Sequence, residues 1–111
     1  MRASRKSYVG VGTPLGIQAR VRDGGSDEVM DLRFDLLKRK PEEWTDPDRG
    51  MEQLALAILA DATGSDNYAL LRYERFTDDV TGFLPVAEEW RITFDEVTKW
   101  VNAHPITEDD L

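Results

Sequence analysis

The spacing of hydrophobic residues along the chain predicts strands in its first third and helices after it. From Ile17 to Arg22 apolar and polar residues alternate strictly, which is typical of a strand with one buried face. The same alternation recurs over residues 30–36 and predicts a second strand. Residues 8–11 are a short apolar run that favours a third strand.

A tight turn is predicted between the two alternating segments. The sequence there is Asp23-Gly-Gly-Ser26, and glycine adopts the positive φ angles that a short hairpin turn requires. We therefore predict an antiparallel hairpin or a three-stranded meander. Because one face of this sheet is apolar, it needs a cover of helices.

The segment 50–64 predicts a helix that is apolar on nearly every side, and such a helix must be buried. Asp46 or Asp48 can accept hydrogen bonds from the free N–H groups of its first turn. Gly64 is expected to end the helix, since glycine tolerates the left-handed conformation found there.

Two more helices follow in the sequence. Ser65 caps the second one, whose apolar residues recur at spacings of three and four until Pro85 stops it. Residues 90–92 predict a short edge strand. The pattern Thr93-Phe-Asp-Glu96 is a capping box that opens a third helix, which ends near His104.

Together these elements predict an α+β fold. In it a small antiparallel sheet of two to four strands packs against three helices, and the first helix is central and buried. The 111 residues fit a single domain, residues 1–111. The segments 1–6 and 106–111 are predicted to be flexible tails.

Composition excludes several kinds of chemistry and location. The chain has no cysteine, so disulfides, thiolate catalysis and thiolate zinc sites are excluded. The longest apolar run, residues 54–60, is too short to span a bilayer, and no signal-peptide core follows the basic first residues. We therefore expect a soluble, cytoplasmic protein that has no membrane partner.

The charge is strongly acidic, with a formal net charge of −8 from 22 acidic and 14 basic residues. Such a surface repels phosphate backbones, so nucleic acid is an unexpected partner. The sequence contains 13 Asp against 9 Glu, and 10 Arg against 4 Lys. Short carboxylates and scarce lysine favour adaptation to concentrated salt, where screening removes self-repulsion. The alternative is an ordinary acidic protein from a GC-rich genome.

No residue pattern predicts catalysis, a cofactor or a metal site. His104 is the only histidine, and its position favours a structural role at a helix C-terminus. Nucleophile-elbow, P-loop and dinucleotide-binding motifs are all missing from the sequence. Neighbouring carboxylates such as Asp78 and Asp79 diverge by about 100° on a helix and do not converge on one ion. The sequence thus predicts a protein that is not an enzyme.

Three tryptophans leave two interpretations open. Trp44, Trp90 and Trp100 each lie near the end of a predicted element, where they are typical core residues. Alternatively, Trp44 and Trp90 are partly exposed and form an aromatic patch for a partner. The candidate partner surface consists of Trp44, Asp46, Asp48, Arg49 and Trp90.

A third use of Trp44 is suggested by its basic neighbours. Residues 38–40 are Lys-Arg-Lys, and aromatic and basic side chains together can grip single-stranded nucleic acid. Because Glu42 and Glu43 follow directly, this pattern is a weak alternative to the partner surface.

Much of the chain resembles a domain-of-unknown-function family of small prokaryotic and phage proteins. The resemblance rests on Glu43-Trp44, on Gly50, and on the helix Gln-Leu-Ala-Leu-Ala-Ile-Leu-Ala-Asp at residues 53–61. It continues through Phe76, Val80, Leu84-Pro85, Trp90, Thr93 and Trp100. It spans about residues 8–101 and implies a shared fold. Because the family has no assigned activity, it implies no catalytic residue.

The chain departs from this family in the loop before the first helix. In the family this loop has a sequence similar to Trp-Gly-Tyr-Gly-Gly-Ser-Gly. In this chain the residues after Trp44 are Thr45-Asp-Pro-Asp-Arg-Gly50. A glycine-rich loop at a helix N-terminus can cradle an anion, whereas two aspartates oppose one. An anion site at this loop is therefore not expected in this chain.

We expect a noncatalytic binding or accessory module of a salt-adapted prokaryote or its mobile elements. Its partner is expected to be a protein or a second copy of the chain. The alternative is an acidic inhibitor that mimics nucleic acid against a host enzyme. Carboxylates concentrated on one surface favour mimicry, and evenly spread ones favour salt adaptation.

Overall fold

The computed structural model describes residues 5–38, 46–85 and 88–110. Its contacts divide the chain into two compact units. We call Met1–Met30 with Pro85–His104 the sheet unit, and Asp31–Leu84 with Pro105–Leu111 the helix unit. The prediction that residues 1–111 form a single domain stays a prediction.

The sheet unit contains a four-stranded antiparallel sheet. Its strands are β1 (Lys6–Thr13), β2 (Gly16–Asp23), β3 (Ser26–Val29) and β4 (Trp90–Thr93), in the spatial order β3-β2-β1-β4. β2 confirms the strand predicted from its alternation, and β4 confirms the predicted edge strand. The β2–β3 turn lies where it was expected, with Gly24 at a φ of 61°.

Strand register gives the sheet one apolar face. Tyr8 pairs with Val21 and Ile92, whereas Gly10 pairs with Ala19 and Trp90. Because side chains alternate between faces, all these residues share a face. Most of their side chains are buried, and Tyr8 is fully so. This face holds the core of the sheet unit.

The strand predicted over residues 30–36 is wrong. β3 ends at Val29, and Phe34–Leu37 forms a single helical turn, α1. Polar side-chain chemistry turns the chain between them, because the Asp31 carboxylate accepts a hydrogen bond from the N–H of Arg33 at 2.9 Å. Arg33 itself has a φ of 53°, which no strand residue adopts.

The long predicted helix is present in the helix unit as α2 (Pro47–Thr63). The side chain of Asp46 caps it, and Gly64 ends it at a φ of 68°. From Leu54 to Leu59 every side chain is at most 1% exposed. The all-round apolar pattern therefore corresponds to a buried helix, as predicted.

α3 (Asp66–Asp79) packs against α2 and begins at the predicted cap, Ser65. Its inward side chains include Ala69 and Phe76, both fully buried. A 3₁₀ turn follows, in which the hydroxyl of Thr81 donates a hydrogen bond of 2.9 Å to the carbonyl of Met51.

In the sheet unit, α4 (Phe94–Ala103) packs against β1 and β4. Thr93 and Glu96 make the predicted capping box. At the other end, the His104 ring stacks on Trp100 with centroids 4.0 Å apart, and its Nδ1 lies 2.7 Å from the Trp100 carbonyl. The lone histidine thus lies at the helix C-terminus, where it was expected. Across the described parts of the chain, the helices are too short or too polar to cross a membrane.

The fold is α+β, as predicted: the described residues form a four-stranded antiparallel sheet and three helices of ten residues or more. A short 3₁₀ turn, Glu108–Asp110, lies in the segment predicted to be a flexible tail. There Arg72 forms a salt bridge with Asp110 at 2.5 Å and donates to the carbonyl of Pro105 at 2.8 Å. The flexibility of residues 106–111 stays a prediction.

Candidate functional site

Three of the five predicted surface residues lie together at the start of α2. One carboxylate oxygen of Asp46 accepts hydrogen bonds of 3.0 Å from the N–H groups of Asp48 and Arg49. All three side chains are exposed. Asp46 therefore caps the helix, and Asp48 adds negative charge where the helix dipole is positive.

The two predicted tryptophans differ in what the structure says of them. Trp44 lies outside the described residues. Trp90 belongs to β4 in the sheet unit and is 8% exposed. Its indole lies on the backbone of Gly10, so that a Cβ built at Gly10 stands 2.2 Å from the indole Nε1. Trp90 is therefore a core residue, as in the first of the two interpretations, and not a partly exposed residue of an aromatic patch. The partner surface as a whole stays a prediction.

The charges are divided unequally between the two units. The sheet unit contains seven basic and seven acidic residues. The helix unit contains seven basic residues and fifteen acidic ones. The whole net charge of −8 is therefore carried by the helix unit, a separation that the sequence alone did not reveal because the sheet unit is assembled from both ends of the chain.

Salt bridges use much of the positive charge of the helix unit. Arg33 makes two hydrogen bonds of 2.9 Å to the carboxylate of Asp66. These bonds hold the pKa of Asp66 below its ordinary value. The guanidinium group of Arg72 likewise donates two hydrogen bonds to the carboxylate of Asp110. This interaction lowers the pKa of that carboxyl group strongly.

Other carboxylates of the helix unit remain open to a partner. They are exposed and have no ionic partner among the residues that the structure describes. They are Asp48, Glu74, Asp78, Glu108 and Asp109. The helix unit thus has exposed negative charge that is not neutralised by salt bridges with its basic residues, as far as the structure describes them.

The second face of the sheet carries arginines, which sequence reasoning missed. Val9 pairs with Arg20 on one side and with Arg91 on the other, and Ser7 pairs with Arg22. These side chains share the face opposite Gly10 and Trp90. We call Arg20, Arg22 and Arg91 the arginine face. The alternation of β2 predicted its polar side, but only the register adds Arg91 to it.

An open cavity of about 380 Å³ lies at this part of the sheet. It is lined by Val9, Gly10, Val11, Arg22, Glu89, Trp90 and Arg91. One oxygen of Glu89 accepts a hydrogen bond of 2.8 Å from the N–H of Gly12, which fixes that carboxylate at the end of β1. As for metals, the described residues contain no group of three or more His, Asp or Glu side chains suited to holding an ion.

Comparison with known proteins supports one part of the resemblance seen in the sequence, membership of a family of unknown function. Neither curated proteins nor solved structures provide a match. The model of one family, described as a family of unknown function (DUF6166), matches residues 8–103, which is most of the chain. The chain belongs to this family of unknown function, DUF6166.

Proposed function

We propose that the protein is a noncatalytic binding or accessory module that engages a basic partner protein through its helix unit. The observation that carries this proposal is the placement of the whole net charge of −8 in that unit. Exposed like charges destabilise a compact unit through self-repulsion, and a positively charged partner relieves it. We therefore expect association that is fast and sensitive to salt.

Exposed carboxylates of α3 supply a specific contact point within this unit. Glu74 and Asp78 are four residues apart on α3, so they lie on the same side of the helix. Both are exposed and lack an ionic partner among the described residues. A cationic side chain of a partner can bridge two carboxylates at this spacing.

A second candidate function is mimicry of nucleic acid. Concentration of carboxylates in one unit is the feature that such an inhibitor needs, because it must present closely spaced negative charge to the phosphate-binding groove of a host enzyme. On this hypothesis the partner is a nucleic-acid enzyme, and DNA competes with the protein for it.

We place the protein in the cytoplasm of a salt-adapted prokaryote or on one of its mobile elements. Supporting this are the excess of Asp over Glu and of Arg over Lys, and the resemblance to small prokaryotic and phage proteins.

The test is affinity enrichment from the native host with three forms of the protein. They are the wild type, the variant Glu74→Gln/Asp78→Asn, and a matched control, Glu28→Gln/Glu88→Gln, which removes the same charge from exposed positions of the sheet unit. A partner that the first variant loses and the control retains supports binding through the helix unit. Equal recovery with all three forms contradicts it.

Competition separates the two candidate functions. Release of the partner by duplex DNA supports mimicry, because both ligands then occupy one groove. Retention of the partner in the presence of DNA supports an accessory module that binds elsewhere.

A further inference from the structure

We propose that the arginine face binds a small organic anion that has one carboxylate or phosphate group and an apolar body. The site is the cavity of about 380 Å³ lined by Arg22, Arg91 and the two valines of β1. It lies wholly in the sheet unit, so the proposal goes beyond the partner proposed for the helix unit.

Register places two arginines on opposite sides of a valine. Arg20 and Arg91 both pair with Val9, from β2 and β4 respectively. Neighbouring strands lie about 4.8 Å apart, so these two backbones are separated by roughly 10 Å with the β1 side chains between them. Arg22 stands diagonally across β1 from Arg91, and both residues line the cavity. Donors on both sides of one strand can converge on an anion above it.

Positive charge on this face is only partly neutralised. Asp27 is shared: it accepts from the Nε of Arg20 at 2.8 Å and from the Nε of Arg22 at 3.4 Å. The hydrogen bond from Arg20 lowers the pKa of Asp27, as expected of a carboxylate between two guanidinium groups. Arg91 is exposed, and its side chain has neither a hydrogen-bond partner nor an ionic partner within the described part of the chain.

The cavity also has one acidic residue, and its charge is already engaged. The Glu89 carboxylate accepts a hydrogen bond of 2.8 Å from the N–H of Gly12. With Arg22 and Arg91 opposite this single carboxylate, the lining keeps an excess positive charge. Guanidinium groups bind carboxylate and phosphate through paired N–H donors, which identifies the chemical class of the ligand.

The valines determine the rest of the ligand. Val9 and Val11 lie on the same face as the arginines and line the same cavity. Val9 is only 5% exposed and Val11 is half-buried, so the accessible apolar surface beside the guanidinium groups comes mainly from Val11. The cavity is open to solvent, and its volume lies at the lower end of the range of small-molecule sites. An anion with an apolar body satisfies both halves of the site.

Charge and composition favour a small ligand over a nucleic acid. The chain as a whole carries −8, which repels a long polyanion but acts weakly on a single charge beyond about 8 Å at physiological salt. Tyr8 lies on the opposite face, and Trp90, which lines the cavity, is only 8% exposed because its indole packs on Gly10. Little ring surface is therefore left on which a base can stack.

The test is a titration of the isotopically labelled full chain, followed by amide chemical shifts, with four probes. Hexanoate and phenyl phosphate each combine an anionic group with an apolar body, acetate supplies the anion alone, and 1-hexanol supplies the body alone. We expect saturable shifts centred on Val9, Val11 and Arg91 with hexanoate or phenyl phosphate, and roughly 10-fold weaker binding of acetate and hexanol. Comparison of the two anionic probes tells a carboxylate ligand from a phosphate ligand.

Variants locate the site. Arg91→Gln is expected to weaken binding of the better probe roughly 10-fold or more, and Arg22→Gln provides a second, independent removal of charge. Arg75→Gln is the matched control, since Arg75 is an exposed arginine of the helix unit that pairs with Asp79. It should leave binding unchanged.

Three results would overturn the proposal: shifts that scatter over the chain or do not saturate, equal binding of hexanoate and 1-hexanol, or equal loss with Arg91→Gln and Arg75→Gln. None of them bears on the acidic helix unit, whose partner is tested separately through Glu74 and Asp78.

Discussion

Gly10 is the position at which one methyl group should matter most. A Cβ built there lies 2.2, 2.5 and 2.6 Å from three atoms of the Trp90 indole, whereas carbon atoms in contact are ordinarily about 3.5 to 4.0 Å apart. In Gly10→Ala the indole must therefore move by more than 1 Å or the strand must shift. Overpacking of this kind costs about 1 to 3 kcal/mol.

Gly12 provides a matched control in the same strand. A Cβ at Gly12 meets only an oxygen of Glu89, at 3.7 Å, which is ordinary contact. Replacing glycine by alanine within a strand is otherwise favourable by about 0.5 to 1 kcal/mol. Because this gain applies to both positions, the difference between the two variants isolates the cost of displacing the indole, about 1 to 3 kcal/mol.

The assay is urea unfolding of the wild type, Gly10→Ala and Gly12→Ala, followed by far-ultraviolet circular dichroism and by tryptophan emission. Gly12→Ala should equal or exceed the wild type in stability, and Gly10→Ala should fall below it. A double variant tests the contact directly, since Trp90→Ala removes the ring and Gly10→Ala should then cost little. If Gly10→Ala and Gly12→Ala unfold at the same urea concentration, the indole does not lie on Gly10 and the description of Trp90 as core filler is wrong.

Four further predictions concern a cap, a pH dependence, the exchange of one amide, and salt. Thr93→Ala removes the capping box of α4 and should destabilise the protein by about 1 kcal/mol in the same unfolding assay, whereas Thr98→Ala, in the middle of α4, should cost less. The pKa of Asp110 is lowered in the folded protein, chiefly by Arg72, so its contribution to stability is present above the ordinary carboxyl pKa of 3.8 and is lost as the pH falls below it. The N–H of Thr107 donates a hydrogen bond of 2.8 Å to Asp110, so its hydrogen exchange should be faster in Asp110→Asn but not in Asp109→Asn. Equal exchange rates in both variants would mean that this bond does not order the segment, and that residues 106–111 are the flexible tail that was predicted. If the protein is salt-adapted, its melting temperature should rise between low and molar potassium chloride, because screening relieves repulsion between the carboxylates of the helix unit. An unchanged melting temperature would refute salt adaptation.

Local sequence was sufficient wherever one stretch of chain determines its own structure. The all-round apolar pattern of 50–64 requires burial, and α2 is buried from Leu54 to Leu59. The caps at Ser65 and Thr93 depend on backbone groups within three residues of each side chain, so their sequence signatures specify the helix starts directly.

Alternation failed at residues 30–36 because it records polarity and not hydrogen bonding. Met30 continues the apolar pattern and its N–H still donates to the carbonyl of Ala19 at 3.0 Å, so the ladder reaches this residue. Beyond Met30, the Asp31 carboxylate accepts a hydrogen bond from the N–H of Arg33. The side-chain amide of Gln53 in α2 donates hydrogen bonds to the carbonyls of Leu32 and Arg33. These side chains satisfy the backbone groups that a strand partner would have used, and the Gln53 contacts join residues about twenty positions apart.

The arginine face could not be predicted from local sequence patterns, because its residues come from distant parts of the chain. The alternation of β2 correctly placed Arg20 and Arg22 on its polar side, where a solvated face is the ordinary interpretation. Arg91 is about seventy residues further along the chain and joins them only because β4 pairs antiparallel with β1 in one particular register. A shift of that register by one residue would send Arg91 to the buried face and Trp90 to the open one. The contact between Trp90 and Gly10 opposes that shift, because glycine alone leaves room for the indole at this point of β1. The same packing that buries the tryptophan therefore keeps the third arginine on the open face, and disturbing it through Gly10→Ala should weaken anion binding at Arg91 as well as stability.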